Sequence, residues 1–323
     1  IYKPEGEPLV SIIIPSKDNY DIFERCIKTL VEKTEYKNYE LVVADNGSKP
    51  ENRKKYEKLC EDVNAVYHYE KMDFNFSKMC NIGAKISKGS YLLFLNDDIE
   101  IINGVWLERM LGQACLKHTG AVGAKLLYPN STEIQHCGII NLQRGPCHAF
   151  MHMTDSVPLY FSRNKIDYNY IAVTAACLCV SREKFDAVKG FDEELTVGYN
   201  DVDLCFKLYE NGLYNVVRTD AVLWHHESVS RGLDAEDPEK RKRLAKEFDK
   251  LNKKHPDLVG KDPFYNPNLI KDRVDFNIDL TRSVGSAKLV KAGLDVTPLL
   301  NDRVQACIDD CWKGKLTEIS GWA

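Results

Sequence analysis

Three absences limit what this sequence can be. No apolar stretch approaches the roughly 18 residues of a membrane-spanning helix, and the N-terminus lacks a charged-then-apolar leader, so we expect a cytoplasmic chain. Basic residues do not dominate, because Lys and Arg total 44 against 48 Asp and Glu, for a net charge of −4. Such a chain lacks the general excess of basic residues with which proteins bind the nucleic-acid backbone, so any phosphate must be bound by a local group of residues.

The motifs of several common enzyme classes are also missing. No Gly-x-Gly-x-x-Gly follows the first predicted strand and no Gly-Lys-Ser loop occurs, which removes the main support for a dinucleotide oxidoreductase or a P-loop enzyme. No Gly-x-Ser-x-Gly elbow supports a hydrolase. The 11 cysteines are odd in number and lack the paired spacing of a zinc site. We interpret most of them as buried thiols in a reducing compartment.

The N-terminal third does contain a regular alternation of strands and helices. Leu9–Pro15 is a β-branched run typical of a strand buried on both faces of a parallel sheet, and an amphipathic helix follows from near Asp21. Further strands are predicted at 39–44, 63–69 and 91–95, with helices at 51–59 and 77–87. This alternation predicts an α/β fold: an open, mostly parallel, Rossmann-like sheet flanked by helices, whose ligands bind beyond the carboxyl ends of the strands.

The pattern is less regular in the rest of the chain. Strands are predicted at 121–127, 134–141, 172–180 and 215–224, and helices at 183–188, 201–211 and 238–255. Amphipathic order weakens from about Asp272, so we place one domain at 1–275 and a small C-terminal extension at 276–323. Because the chain begins at Ile1 and ends at Gly321-Trp322-Ala323 within a strand-like stretch, we expect it to be part of a longer protein.

Acidic residues follow two of the predicted strands. Asp45 comes after the second, and Asp97 and Asp98 come after the fourth. Carboxylates in that position suit a Mg²⁺ or Mn²⁺ ion that bridges the phosphates of a nucleotide. They equally suit a chain turn and the cap of a helix near 104–111. Both interpretations stay open at this point.

A second pair of acids, Asp201 and Asp203, opens the helix predicted at 201–211. The helix dipole stabilises an acid in the first turn, which is a purely structural role. Either residue would also serve as a general base if it pointed into the ligand cleft.

Two histidines, His225 and His226, follow the apolar strand at 215–224. A neutral imidazole is a good ligand for a divalent transition ion and would complete a coordination sphere begun by Asp98. Histidines at strand ends also occur as ordinary hydrogen-bonded surface residues. Arg231 lies a few residues further on and offers a bidentate fork for phosphate.

Taken together and in order, these stretches resemble the family 2 glycosyltransferases of the GT-A fold. The similarity is greatest to the bacterial branch that builds surface polysaccharides, which includes rhamnosyltransferases. The matching stretches fall between residues 9 and 232: they are 10–15, 43–48, 74–77 with Asn81 and Gly83, 93–98, 122–129, Gln135-His136-Cys137-Gly138, 173–178, 190–193, 200–205 and 225–232.

The resemblance implies a role for each matching residue. Asp201 is implied as the general base that takes the proton from the acceptor hydroxyl. Asp98 is implied as a metal ligand, with His225 or His226 as the remaining protein ligand. Nucleotide or donor-sugar binding is implied for the following residues: Pro15, Ser16, Asp18, Asp45, Asn46, Asn75, Asn81, Asn96, Asp97, Ala176, Asn200 and Arg231.

The implied reaction is inverting, metal-dependent transfer of a hexosyl or deoxyhexosyl group to a hydroxyl. The donor would be a UDP-, dTDP- or GDP-sugar, the cofactor Mn²⁺ or Mg²⁺, and the acceptor a glycan or lipid-linked glycan. Peripheral association with the inner face of the membrane is compatible with such an acceptor. In two places the chain departs from the family pattern: Asn96 stands where many members have an acid, and Asn200 replaces a glutamate that often precedes the base.

Two other functions compete with this interpretation. A nucleotidyltransferase shares a related sheet and also holds Mg²⁺ with acids, but it usually needs a glycine-rich, basic loop after the first strand. The segment from Ser16 to Tyr20 does not supply one. The other alternative is a non-catalytic module that binds sugar nucleotide or glycan within a polysaccharide-assembly protein.

Overall fold

The computed structural model describes residues 2–4, 6–226 and 237–278, and this part of the chain contains 12 strands and seven α-helices. The strands are β1 (Val10–Ser16), β2 (Tyr39–Asp45), β3 (Val66–Tyr69), β4 (Tyr91–Leu95), β5 (Ile99–Ile101), β6 (Thr119–Leu127), β7 (Ile134–His136), β8 (Ile139–Leu142), β9 (Gly145–His148), β10 (Tyr168–Tyr170), β11 (Cys177–Ser181) and β12 (Tyr214–His225). The helices are α1 (Tyr20–Lys33), α2 (Pro50–Asp62), α3 (Phe76–Ile86), α4 (Trp106–Ala114), α5 (Arg182–Ala187), α6 (Asn200–Glu210) and α7 (Pro238–Lys254).

One large mixed sheet organises the described residues. Its strand order is β10-β12-β6-β11-β4-β1-β2-β3, with β5 paired to β12 and β7 paired to β6. Strands β4, β1, β2 and β3 run parallel, whereas β11 is antiparallel to both of its neighbours, β4 and β6. Because β12 is parallel to β6, it points the same way as β4 and β1. The prediction of a mostly parallel central sheet flanked by helices is confirmed.

Burial explains why the central strands read as continuous apolar runs. Every residue of β1 is buried, and Ile12, Ile13 and Ile14 have no exposed surface. Helix α3 packs so closely on β1 that a Cβ added at Gly83 would lie 2.3 Å from Ile13 Cγ2. A strand covered on both faces needs apolar side chains on both, and this removes the alternation of an exposed strand.

Two predicted strands differ in the structure. The one predicted at 134–141 is divided into β7 and β8 at Gly138, whose φ of +103° and close approach to the Tyr170 ring exclude a side chain. The one predicted at 172–180 begins only at Cys177. Its first residues leave the sheet, and Ala172 instead forms an isolated bridge with Ile139 of β8.

Cysteine burial agrees with the interpretation of these residues as thiols. Within the described residues every cysteine is free, and two are only half-buried, Cys115 and Cys147. The buried ones are Cys26, Cys60, Cys80, Cys137, Cys177, Cys179 and Cys205. Burial raises the pKa of Cys26, Cys80 and Cys177 well above the usual value, so these thiols stay protonated and unreactive.

Backbone contacts divide the chain into two units. The first comprises residues 1–267 and 271–276, and the second comprises 268–270 and 277–323. Every described residue to which the sequence assigns a functional role belongs to the first unit. In the ranges 2–4, 6–226 and 237–278 there is no helix with the length and apolar character to cross a membrane.

Candidate active site

The predicted site residues cluster where parallel strands end. Ser16 ends β1, Asp45 ends β2, Asn96 directly follows β4, and His225 ends β12. These strands point the same way, so their carboxyl ends lie at one edge of the sheet. Ligands of open α/β sheets bind at that edge.

Asp98 and His225 meet at this edge although they are far apart in the sequence. Strand β5 pairs antiparallel with β12, so that Ile99 lies opposite His225. This register brings His225 Nε2 to 3.0 Å from Asp98 Oδ1. Both residues are buried, with 8% of Asp98 and 7% of His225 exposed. The structure therefore places an acid and an imidazole of the predicted metal set side by side.

His226 points elsewhere. Its Nε2 lies 2.9 Å from Glu100 Oε2, and its Nδ1 lies 3.4 Å from a guanidinium nitrogen of Arg25. Only its backbone reaches Asp98, where the N–H donates to the carbonyl oxygen at 2.9 Å. The side chain of His225, and not that of His226, faces Asp98.

Three contacts define the protonation pattern of His225. Its Nδ1 lies 2.5 Å from Gln135 Oε1, an atom that only accepts hydrogen bonds, so this contact favours the tautomer with a proton on Nδ1. In the neutral imidazole, Nε2 is then a lone-pair nitrogen, and Asn96 Nδ2 lies 3.4 Å from it as a possible donor. That lone pair faces the Asp98 carboxylate.

This arrangement fits a divalent cation. Asp98 Oδ1 is buried and accepts no hydrogen bond of good geometry from the described residues, although His225 Nε2 is near. Two ligands at right angles on an octahedral ion with bonds of about 2.1 Å lie about 3 Å apart, close to the separation seen here. No group of three or more His, Cys, Asp or Glu side chains in the described ranges is arranged to hold a metal. The groups that the structure brings together here are one carboxylate and one imidazole.

Electrostatics separate the two neighbouring acids. Burial acts to raise the pKa of Asp98, but the charge and hydrogen bond of His225, when its ring is protonated on both nitrogens, outweigh burial, and the pKa is lowered overall. Desolvation, followed by the charge of Asp98, raises the pKa of Asp97 to about 7. Ser16 Oγ donates to Asp97 Oδ2 at 2.5 Å and is itself 2.7 Å from the hydroxyl of Tyr56. Asp97 is therefore held by a hydroxyl at the end of β1.

Asp45 lies at the end of β2, on the side of β1 away from β4. Asp45 Oδ1 accepts from the backbone of Ser48 at 2.8 Å, and its Oδ2 accepts from the hydroxyl of Tyr67. Asp18, in a left-handed conformation with φ of +53°, accepts from the backbone of Lys49 and the amide of Asn52. The buried Asn46 donates to the carbonyl of Met72 at 2.6 Å, and Pro15 is buried within β1.

Asn75 and Asn81 already have partners within the protein. Asn75 caps α3 by accepting from the backbone of Lys78, and its amide donates to the carbonyl of Glu193 at 2.8 Å. Asn81 exchanges hydrogen bonds with the backbone of Phe191 and donates to the carboxylate of Glu193. These contacts hold the 191–193 loop against α3. The implied role of Asn75 and Asn81 in nucleotide binding stays a prediction.

The two acids at the start of α6 have different surroundings. Asp203 is 1% exposed, and its carboxylate lies 3.1 Å from His255 Nε2 and 2.9 Å from Lys207 Nζ. Asp201 is half-buried, and its Oδ2 accepts from the backbone of Ala175 at 3.1 Å. Asp203 is thus occupied by core cations, which leaves Asp201 as the acid of this pair with access to a ligand.

Hydrogen bonds of Ala175 and of the residue after it connect Asp201 to the part of the site that contains Asp98. The carbonyl of the buried Ala176 accepts from the backbone of Asn96 at 3.0 Å. Asn200, also buried, accepts from the backbone of Asp201 at 2.7 Å and donates to the carbonyl of Val197. Arg231 lies outside the described residues.

Glu247 of α7 is only 4% exposed, and the sequence did not indicate a role for it. Its Oε1 accepts from Thr196 N and Oγ1 and from Val197 N, at 2.8–3.1 Å, and its Oε2 accepts from Gly198 N at 2.9 Å. These bonds hold the loop that precedes α6. Nothing distinguished this acid from the other charges of its helix. Gln135 lay in a matching motif but had no assigned role.

Solved structures share the fold of this chain. A structure of GalNAc-T7 with UDP, GalNAc and Mn²⁺ superimposes with a TM-score of 0.59 at 14% identity, over 76% of this chain and 48% of that one. The Pyrobaculum calidifontis mannosyltransferase PcManGT, in complex with GDP-Man and Mn²⁺, gives 0.54 at 16% identity, over 80% and 74%. The fold is that of the GT-A glycosyltransferases.

Sequence comparison identifies the family. The chain belongs to glycosyl transferase family 2, whose profile matches residues 11–186. A Sinorhizobium fredii protein, y4gI, is 40% identical over 293 residues, and the Myxococcus xanthus O-antigen biosynthesis protein RfbC is 35% identical over 278. These alignments cover 90% and 85% of this chain but only 32% and 21% of the two relatives. The chain is thus a glycosyltransferase domain, and it spans only a fraction of the length of each relative.

Proposed function

We propose that this domain transfers a sugar, with inversion at the anomeric carbon, from a nucleoside diphosphate to a hydroxyl of a growing cell-surface glycan. Mn²⁺ or Mg²⁺ would be held by Asp98 and His225. The observation that carries the proposal is the 3.0 Å approach of His225 Nε2 to a buried carboxylate oxygen of Asp98. The Mn²⁺ in both related structures and the O-antigen role in the name of RfbC support it.

When bound, the cation would supply Lewis-acid stabilisation of the charge that develops on the leaving diphosphate. Asp98 and His225 would provide one anionic and one neutral ligand to it. Asp45, Asn46 and Asp18 would bind the base and ribose at the end of β2. Asp97, held by Ser16, would contact the donor ribose or sugar.

Asp201 would act as the general base. The hydrogen bond from Ala175 orients its carboxylate, and its half-buried position leaves it open to an acceptor hydroxyl. Removing that proton as the acceptor oxygen attacks the anomeric carbon and the nucleoside diphosphate leaves would turn the hydroxyl into a better nucleophile. Such bases commonly supply about 10² to 10⁴ in rate.

The test is a turnover assay with a panel of UDP-, GDP- and dTDP-sugars in Mn²⁺, first screened by thermal stabilisation. We expect one donor to raise the melting temperature and to release nucleoside diphosphate slowly, with full loss in EDTA. His225→Ala should lose this release, whereas the matched variant His226→Ala should keep most of it, because only His225 faces Asp98.

Other outcomes would favour other functions. Binding of a sugar nucleotide with no turnover in any metal would indicate a non-catalytic module. Release of pyrophosphate from a nucleoside triphosphate and a sugar phosphate would indicate a nucleotidyltransferase. Equal loss in the His225 and His226 variants would contradict the assignment of the metal ligand.

A further inference from the structure

Gln135 lies on the side of His225 that faces away from Asp98. It belongs to β7, which pairs with the C-terminal end of β6, so its backbone is fixed in the main sheet. The side chain is 3% exposed, and its Oε1 lies 2.5 Å from His225 Nδ1. The imidazole is thus enclosed between Gln135 on one side and Asp98 on the other.

A neutral imidazole has two tautomers, and they have opposite effects here. With the proton on Nε2, the ring would donate to the carboxylate of Asp98 and leave no lone pair for a cation. With the proton on Nδ1, the ring donates to Gln135, and Nε2 presents its lone pair beside Asp98 Oδ1. In the orientation seen here the amide oxygen of Gln135 faces Nδ1, and because this oxygen can only accept, it stabilises the second tautomer.

We propose that Gln135 is a positioning residue that holds His225 in its metal-binding tautomer and orientation. The inference rests on the proposed function, because it assumes that His225 is a metal ligand. Outer partners of metal-bound histidines commonly change metal affinity by about 10- to 100-fold when removed. A glutamine in this place supplies the acceptor without adding a negative charge to the site.

The experiment counts free Mn²⁺ by electron paramagnetic resonance in titrations of the full chain with saturating UDP or GDP. Gln135→Met keeps the bulk but removes the acceptor, and we expect Mn²⁺ to bind about 10- to 100-fold more weakly. Gln135→Glu restores an acceptor for Nδ1–H, so its affinity should stay within about threefold of the parent. The matched control is Gln113→Met, since Gln113 is also buried but donates to Thr119.

A second measurement does not depend on metal. Two-bond ¹H–¹⁵N spectra of metal-free, histidine-labelled protein in alkaline buffer report which ring nitrogen carries the proton. We expect the Nδ1–H form of His225 in the parent and Gln135→Glu, and the Nε2–H form in Gln135→Met. Melting temperatures in EDTA identify a variant whose affinity falls because the fold is lost.

The outcomes separate this inference from the function on which it rests. If Gln135→Met binds Mn²⁺ as the parent does while His225→Ala does not, the role of Gln135 is overturned and the metal site stands. If His225→Ala also binds as the parent does, the metal is held elsewhere and both are overturned.

Discussion

The carboxylate of Asp201 accepts a hydrogen bond from the backbone nitrogen of Ala175, 3.1 Å away. The next residue, Ala176, accepts from the backbone of Asn96, which stands two residues before Asp98. The proposed base and the proposed metal ligand are therefore connected through the loop that precedes β11 and the residue that follows β4. Single substitutions at these positions test the two roles separately.

Asp201→Asn should strongly reduce sugar transfer while leaving the binding of the donor nucleotide almost unchanged. An amide of the same shape preserves an acceptor for Ala175 N–H but cannot take a proton, so we expect kcat to fall by about 10² to 10⁴. The dissociation constant for the donor nucleotide should change by less than about threefold, because general base catalysis contributes in the transition state. Asp249→Asn, an exposed change on α7, is the control. Turnover of Asp201→Asn near the parent rate would exclude this role.

Glu247→Gln should loosen the loop that carries Asp201. In the parent, both carboxylate oxygens accept hydrogen bonds from backbone N–H groups of the 196–198 loop. The amide of glutamine is neutral, and its NH2 group would face N–H donors where a carboxylate oxygen now accepts. We expect the free energy of unfolding to fall by about 2 kcal/mol. We also expect kcat to fall more than the donor KM rises, since the loop leads into the base and not into the donor side. Urea titration and initial-rate kinetics measure the two effects, and an unchanged kcat would argue that the loop only supports the fold.

The buried pair of His255 and Asp203 should make stability depend on pH. Burial alone would lower the pKa of His255, but hydrogen bonds to Asp203 and Glu210 outweigh it and raise the pKa above its usual 6.5. A raised histidine pKa gives stability that is complete below 6.5 and is lost as pH rises through the folded pKa. Burial acts to raise the pKa of Asp203, but His255 and Lys207 lower it below 3.8, so its contribution is lost only in acid.

The measurable consequence is a drop in the urea midpoint of the parent as pH rises above about 6.5 and through the folded pKa of His255, since this histidine is then protonated in the native state but not in the unfolded state. His255→Gln should be less stable at pH 6 and should flatten this slope. The exposed residue His118 offers the control His118→Gln, which should keep the parent slope. A slope unchanged by His255→Gln would show that other groups cause the pH dependence.

Gly83→Ala should destabilise the fold although alanine is the better helix former. The gain in helix propensity is about 1 kcal/mol, but the new methyl would lie 2.3 Å from Cγ2 of Ile13, a side chain with no exposed surface. Overpacking of this kind costs about 1 to 3 kcal/mol, so we expect a net loss, seen as a lower urea midpoint. In an Ile13→Ala background the same change should be neutral or stabilising, and a loss as large there would refute the steric explanation.

The sequence was informative where one physical requirement dominated. The ends of β1, β2 and β4 followed from continuous apolar runs that stop at polar residues, because strands covered on both faces need such runs. The stretch 172–176 was misassigned, since its small apolar residues look the same in a strand as in the loop whose backbone binds Asp201. Local composition does not record where a backbone N–H donates.

Long-range pairing set the rest of the site. The spacing of Asp201 and Asp203 left both as candidate bases, and only the packing of His255 and Lys207 around Asp203 distinguishes them. The adjacent His225 and His226 could not be separated either, because strand alternation decides which ring faces Asp98. The functional roles of Asp98, His225 and Asp201 stay predictions that the geometry supports.

The most direct measurement is the anomalous diffraction of crystals grown with Mn²⁺ and the nucleoside diphosphate that stabilises the chain. Our account predicts one strong manganese peak bonded to the carboxylate of Asp98 and to Nε2 of His225, with the diphosphate on its open side. A peak bonded to His226 and Glu100 instead, or no peak near Asp98 in crystals of a chain that transfers sugar, would contradict it.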